Sequence, residues 1–251
     1  MEEKSAKIFW TKQDTLVVLA YYGLMCLPWL FSLLSGGVAQ RNITELAKSG
    51  PLLPAMFWTF SFFQIFVVLW LINNRKKQCG CTIKELLGIP KSDSIFHTIM
   101  IGLFAGTFLF FIGTIIALYW SSFLQTHGIE APQQYLIEVL KSGLIPNWQI
   151  IGVGIIVGIF APFVEEVFFR GILFEKLRES RNTFVALLLS SAFFAVVHTN
   201  LFVLPGVFVV GVGFTLVYSM RLGDGKSGKV GLLGSMVAHL TFNMLNTIVI
   251  L

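Results

Sequence analysis

Apolar runs separated by short polar segments fill the whole chain, and the length of the runs carries the first inference. Residues 16–34, 52–72, 95–120, 148–178, 184–198, 203–220 and 230–251 are dominated by aliphatic and aromatic side chains. Most reach or approach the roughly 20 residues that a helix needs to cross a hydrocarbon layer. The first run is long for a signal peptide, and Gly36-Gly37-Val38-Ala39-Gln40 behind it is a poor cleavage site, which predicts an uncleaved first span. Residues 148–178 would make a helix of roughly 45 Å, longer than the hydrocarbon, so it is expected to tilt, kink near Pro162 or run out into the cytoplasm. Between the runs, residues 82–88 predict a short surface helix ended by Gly88. In the segment 121–147, Tyr135, Leu136, Val139 and Leu140 have helical spacing and predict a helix lying along the outer interface. The expected fold is all-α, a polytopic transmembrane helix bundle of about seven to eight spans. Residues 1–147 would supply the N-terminal spans with a basic loop and the outer helix, and residues 148–251 the core, all in one integrated membrane domain.

Composition agrees. With 55% hydrophobic residues, 12% charged and a mean hydropathy of +0.79, the chain is far from a soluble domain, whose charged share is about a quarter. The net charge of +5 does not argue for nucleic acid, because the cations sit in short clusters between apolar runs. With the N-terminus in the cytoplasm, 15 of the 18 Lys and Arg fall on the inner side. That bias predicts a multi-pass protein of the cell membrane with its N-terminus inside. It also accounts for Arg178, Arg181, Lys226 and Lys229 at one end of the core without calling on an acidic substrate. Trp120 and Trp148 then mark the outer interface, Trp10 and Trp70 the inner. Three cysteines make no even framework, and Cys79 and Cys81 fall in a basic inner loop, where thiols are expected rather than a structural disulfide.

The chemistry lies in the few polar residues inside the runs. Glu165 and Glu166 stand side by side with Arg170 in the run that begins at Trp148, where each charge costs from about 2.5 to more than 10 kcal/mol. On a helix Glu166 and Arg170 are i and i+4 with the acid first, the favourable order for an ion pair. Glu165 is rotated by about 100° and left without that partner. Phe194 and His198 share one helical face, as do His239 and Asn243; Gln64 and Asn246 are weaker candidates. Counted from the inner charges at 1.5 Å per residue, Glu165, His198, His239 and Asn243 all lie roughly 15–24 Å deep. Three helices therefore bring a carboxylate, two imidazoles and an amide to one level. A carboxylate withdrawn from water is a competent general base near neutral pH. Glu165 with His198 could deprotonate a water for attack on a carbonyl, and His239 with Asn243 could donate to the oxyanion. No cofactor is needed for this. Zinc on two histidines and a glutamate is an alternative, though His-Glu-x-x-His is absent. The bland alternative is that the same groups are interhelical glue, with Phe194 packing beside His198.

The order Glu165-Glu166-x-x-x-Arg170, Phe194-x-x-x-His198, His239-x-x-x-Asn243 resembles the three motifs of the CAAX protease and bacteriocin-processing family, also called the Abi family of intramembrane endopeptidases. The resemblance lies in roughly the last 90 residues; the first 145 are similar to the family only in being hydrophobic spans. It implies that Glu165 and His198 activate the catalytic water, that His239 and Asn243 form the oxyanion site, and that Glu166 and Arg170 support it. It further implies a membrane-associated peptide or lipidated protein as substrate, within the bilayer. Eukaryotic members remove the last three residues of prenylated proteins. Bacterial relatives, which this short chain is more similar to, are linked to peptide pheromone or bacteriocin processing, to self-immunity or to scaffolding. Three readings follow: a membrane protease, a non-catalytic scaffold or immunity protein, and a proton-coupled transporter. The last is disfavoured because no repeat or pair of broken helices is evident.

Overall fold

The computed structural model describes residues 10–34, 52–90, 92–129, 146–220 and 230–250, and among them every regular element is a helix. In chain order these are α1 (Lys12–Leu34), α2 (Leu52–Cys79), α3 (Ile83–Leu86), α4 (Ser92–Thr126), α5 (Asn147–Ser180), α6 (Thr183–Val197), α7 (Leu204–Ser219) and α8 (Gly231–Ile250). Three stretches are long and apolar enough to cross a membrane, Ser94–Thr126, Asn147–Ser180 and Gly231–Val249, and α6 and α7 are shorter apolar helices. The protein is thus an all-helical membrane protein. The outer helix expected at Tyr135, Leu136, Val139 and Leu140, and the inner-loop Lys226 and Lys229, lie outside the described residues.

α5 is the axis of the bundle. It is continuous but not uniformly α-helical: Ile156–Phe160 and Val167–Phe174 are π-helical, and the two glutamates sit between them in the α-helical turn Ala161–Glu166. The first wide turn has a visible cause. The Ala161 amide reaches back five residues to the Ile156 carbonyl, and Pro162, which follows, has no amide hydrogen to continue the ladder. The expected irregularity near Pro162 is therefore a π turn in an unbroken helix. All eight residues of Val167–Phe174 are buried. A helix buried all round must be enclosed by others. Here α1 packs Tyr21 and Tyr22 onto Phe168 and Phe169, and α6 brings Phe193 and Phe194 against Phe169. Leu232 of α8 closes on Gly171.

α4 turns the opposite way. Phe96, Phe104, Leu118 and Tyr119 are 65–77% exposed, an apolar surface that water would not tolerate but lipid does. Its inner face is lined with glycine. A methyl group on Gly106 would run into the Ala238 carbonyl, and one on Gly102 would meet Val237 at 2.7 Å. Small residues at this spacing let two membrane helices touch backbone to backbone. The contact fixes α8, and with it His239, against α4.

At the end of the bundle where α1 begins and α2 stops, Arg75 of α2 binds Asp14 of α1 at 2.6 Å and donates to the Thr11 hydroxyl. Thr82 and Glu85 form a capping box on α3, and Gly88 follows in a left-handed conformation, φ +59°. Leu86 and Leu87 are buried, so this short helix is docked rather than lying free on the surface. The expectation of free thiols is corrected: Cys79 and Cys81 form a disulfide, their Cα atoms 5.2 Å apart. Gly80 between them, at φ +64°, lets the chain double back within three residues, which a count of cysteines cannot reveal.

Candidate active site

Arg170 is the most completely enclosed cation among the described residues, 1% exposed, and every arm of its guanidinium is used. One terminal nitrogen donates to Glu166 Oε1 at 2.7 Å and the other to the Gly211 carbonyl at 2.9 Å. Nε donates to the Thr215 hydroxyl at 3.3 Å, and Thr215 in turn donates to Gly211 O. The rings of Phe194 and Phe214 lie 4.6 and 5.3 Å from the guanidinium carbon, on α6 and α7. Charge, hydrogen bonds and cation–π contacts together satisfy a cation that would otherwise be prohibitive at this position.

Glu166 is fully buried and passes the arrangement on to α8. Its Oε1, besides meeting Arg170, accepts from His239 Nδ1 at 2.8 Å. Its Oε2 has no hydrogen-bond partner among the described residues; the neighbouring Ser235 hydroxyl donates instead to Leu232 O at 3.2 Å. Because a carboxylate only accepts, the proton on this contact belongs to Nδ1, and His239 Nε2 is turned the other way. It points at Glu165, with Nε2 to Oε2 at 3.7 Å. Phe214 stacks on the imidazole at 4.5 Å and Phe194 meets it edge-on at 5.7 Å. Glu165 differs from its neighbour in access: its side chain is 18% exposed against 0% for Glu166.

The four residues expected at one level are only partly brought together. Glu165 meets His239, not His198. His198 caps α6, its Nδ1 donating to the Phe194 carbonyl at 2.7 Å, one of the carbonyls left unpaired where a helix ends. Its ring packs on Phe194 at 4.7 Å and is solvent-accessible, with Nε2 unengaged among the described residues. Asn243 donates from Nδ2 to the Val157 carbonyl of α5 at 2.9 Å. In the π register that carbonyl would pair with the amide of residue 162, and Pro162 has none. Asn243 thus fills a vacancy that a proline creates. Phe194 touches Arg170, His198 and His239 and is the ring around which all three are arranged.

Sequence reasoning did not single out Thr215, Gly211, Phe214 or Ser235. A threonine in an apolar run ordinarily bonds the carbonyl one turn back, and Thr215 does so as well, so nothing in the run betrays its second contact. Of the weaker candidates, Asn246 bonds the Phe242 carbonyl of its own helix at 2.8 Å. Gln64 donates across to the Tyr22 hydroxyl at 3.3 Å. Among the described residues no three His, Cys, Asp or Glu side chains converge as a ready set of metal ligands.

Residues 147–245, which span α5 to α8 through Asn243, match the family model described as type II CAAX prenyl endopeptidase Rce1-like. Over 214 residues the chain is 28% identical to the Bacillus subtilis (strain 168) protein named "Putative membrane peptidase YdiL", an alignment covering 85% of this chain and 80% of that one. No solved structure gives a significant match. Both comparisons point the same way: residues 147–245 are similar to the type II CAAX prenyl endopeptidases and the chain to a putative membrane peptidase, so the protein is similar to membrane proteases of the CAAX type.

Proposed function

We propose that the protein is an intramembrane endopeptidase that hydrolyses a peptide bond in a membrane-associated peptide or lipidated protein, using a water activated by Glu165 and His198 and no metal. The observation that carries this is the division of labour between adjacent carboxylates. Glu166 is consumed by Arg170 and His239, while among the described residues Glu165 meets only His239, at 3.7 Å, and keeps its side chain 18% exposed.

The chain's groups then act as follows. Glu165 takes one proton from water as the oxygen attacks the substrate carbonyl carbon. His198 Nε2, whose other nitrogen is occupied by the Phe194 carbonyl, accepts the second hydrogen of that water and orients it. The oxyanion that forms receives hydrogen bonds from His239 Nε2–H and from the second hydrogen on Asn243 Nδ2. For His239 to donate from Nε2 while Nδ1 donates to Glu166, the ring must be the imidazolium. Two carboxylates face one guanidinium here, so the cluster is neutral when one further proton rests on the Glu165–His239 pair. As the carbon–nitrogen bond breaks, the proton held by Glu165 passes to the departing amine. An oxyanion donor of this kind contributes about 3 to 4 kcal/mol to the barrier. We place the protein in the cell membrane as a multi-pass bundle of about seven to eight spans with its N-terminus inside, from the bias of Lys and Arg.

The test is cleavage of a fluorogenic library of plain and lipidated peptides by the protein in liposomes, parent beside Glu165→Gln, with and without a zinc chelator. Activity in the parent that is lost in the variant and indifferent to the chelator is the expected result. Loss to the chelator would move the reading to zinc, and equal activity in both proteins would reject Glu165 as the base. A broad library left uncut by either would favour a scaffold.

A further inference from the structure

α2 carries the exposed cations Lys76 and Lys77 in its last turn, and at its final residue the chain closes on itself through the Cys79–Cys81 disulfide. A bond that closes only three residues withdraws far less freedom from the unfolded chain than one that closes a long loop. It also joins α2 to α3, which the chain already holds together. Stabilising the fold is therefore not what this bond is suited to. The orientation proposed above puts it in the cytoplasm, where glutathione and thioredoxins keep thiols reduced and the disulfides that do occur are mostly transient and chemically active.

We propose that Cys79-Gly80-Cys81 is a thiol–disulfide exchange site whose substrate is the thiolate of a small thiol or of a protein dithiol. The two sulfurs are unequal: Cys79 is exposed, whereas Cys81 is 9% exposed. Nothing stands within 4 Å of where a side chain on Gly80 would begin, so the ring can be approached from that side. An incoming anion meets Lys76, three residues before Cys79 on the same side of α2, and Lys77 beside it; both offset the negative end of the helix dipole. The thiolate attacks Cys79 Sγ, a mixed disulfide forms there, and Cys81 leaves as a thiolate that takes a proton from water. A second thiolate, from the same dithiol or another small thiol, then attacks the partner sulfur of that mixed disulfide. The partner departs as a disulfide, oxidised by two electrons, and Cys79 is released as a thiolate. The Cys81 amide, which lies 3.2 Å from Cys79 Sγ and points its hydrogen at it, is in place to receive that charge. Run backwards, the same steps oxidise the pair, with Cys79 attacking and Cys81 resolving. This site is separate from the buried network around Arg170 and does not depend on the protease reading.

The test uses the full-length protein in mixed micelles, oxidised with oxidised glutathione and then treated in its folded state with reduced glutathione or with thioredoxin kept reduced by its reductase. Thiols are blocked with N-ethylmaleimide after each interval. Mass spectrometry of the tryptic peptide 78–84, which carries both cysteines and not Cys26, gives the fraction reduced. At least one of the two reductants should open the bond in the folded protein as completely as in protein unfolded in dodecyl sulfate, and oxidised glutathione should close it again. Opening by glutathione assigns the site to small thiols and opening by thioredoxin alone to protein dithiols; either sustains the proposal. A bond that both leave intact until the protein is unfolded overturns it, as does a peptide that stays a dithiol in oxidised glutathione. The roles are separated by single variants in oxidised glutathione. Cys81→Ser should trap glutathione on Cys79, and Cys79→Ser should trap about tenfold less on Cys81, because access limits exchange. Equal trapping by the two variants overturns the assignment of Cys79 as the attacked sulfur.

Discussion

The network around Arg170 predicts a large and non-additive effect of neutralising it. Arg170→Met keeps a long apolar stem between Phe194 and Phe214 but removes the guanidinium, and Glu166, 0% exposed, is left charged with only His239 Nδ1–H to hold it. Removing one partner of a buried pair costs about 3–5 kcal/mol. Glu166→Gln makes the reverse error: the amide oxygen can still accept from His239, but a buried cation loses its counter-charge, again at about 3–5 kcal/mol. The double variant strands neither charge. It loses hydrogen bonds of about 1 kcal/mol each, so its total cost should be about 2–3 kcal/mol, less than either single change. The expected coupling is therefore about 3 kcal/mol or more, against a total stability on the order of 5–15 kcal/mol. Reversible unfolding in mixed micelles, followed by tryptophan fluorescence, measures all four proteins. If the costs of the single variants add to that of the double within about 0.5 kcal/mol, the argument from a buried ion pair is wrong.

Other expectations are narrower. Asn243→Leu leaves the Val157 carbonyl without a donor and should cost about 1–3 kcal/mol by the same unfolding assay; an unchanged stability would mean that Pro162 creates no vacancy there. Gly106→Leu should force α8 away from α4, at a cost of about 1–3 kcal/mol or more, and reduce cleavage although it touches no proposed catalytic group. Activity equal to the parent's would show that this contact does not set the position of His239. Alkylation of the unfolded protein should label one thiol, Cys26, before reduction and three after it; three from the outset would refute the Cys79–Cys81 disulfide.

The helices were legible because hydrocarbon demands length. The run 184–198 corresponds to Thr183–Val197 and the run 203–220 to Leu204–Ser219. The Glu166–Arg170 contact was legible as well, since i and i+4 on one helix need no knowledge of the neighbours. What could not be read was azimuth. Counting 1.5 Å per residue gives the depth of His198 and His239 but not the direction in which each helix turns them. Only the packed bundle shows that Glu165 faces His239 while His198 is drawn to its own helix's carbonyl. The π turns were hidden for a related reason: a count at 100° per residue assumes the very geometry that Ile156–Phe160 abandons. Thr215 was hidden because its local bond to Gly211 accounts for it completely until Arg170 is placed beside it.

Putting two carboxylates on successive residues of one buried helix looks wasteful until their surroundings are compared. Glu165 and Glu166 share a helix, a depth and a chemistry, and differ mainly in rotation. Rotation turns Glu166 into the interior, where Arg170 and His239 absorb it, and leaves Glu165 18% exposed. The enclosed acid cannot meet a substrate, but it fixes which nitrogen of His239 is free and where that nitrogen points. In the mechanism proposed above, a donor fixed in advance needs no reorganisation when charge develops, which is where a site withdrawn from water gains most. The arrangement works only if α5 is held from every side. The ring of Tyr22, Phe194, Phe214 and Leu232 around it is therefore as much a condition of the reactivity proposed for Glu165 as of the fold.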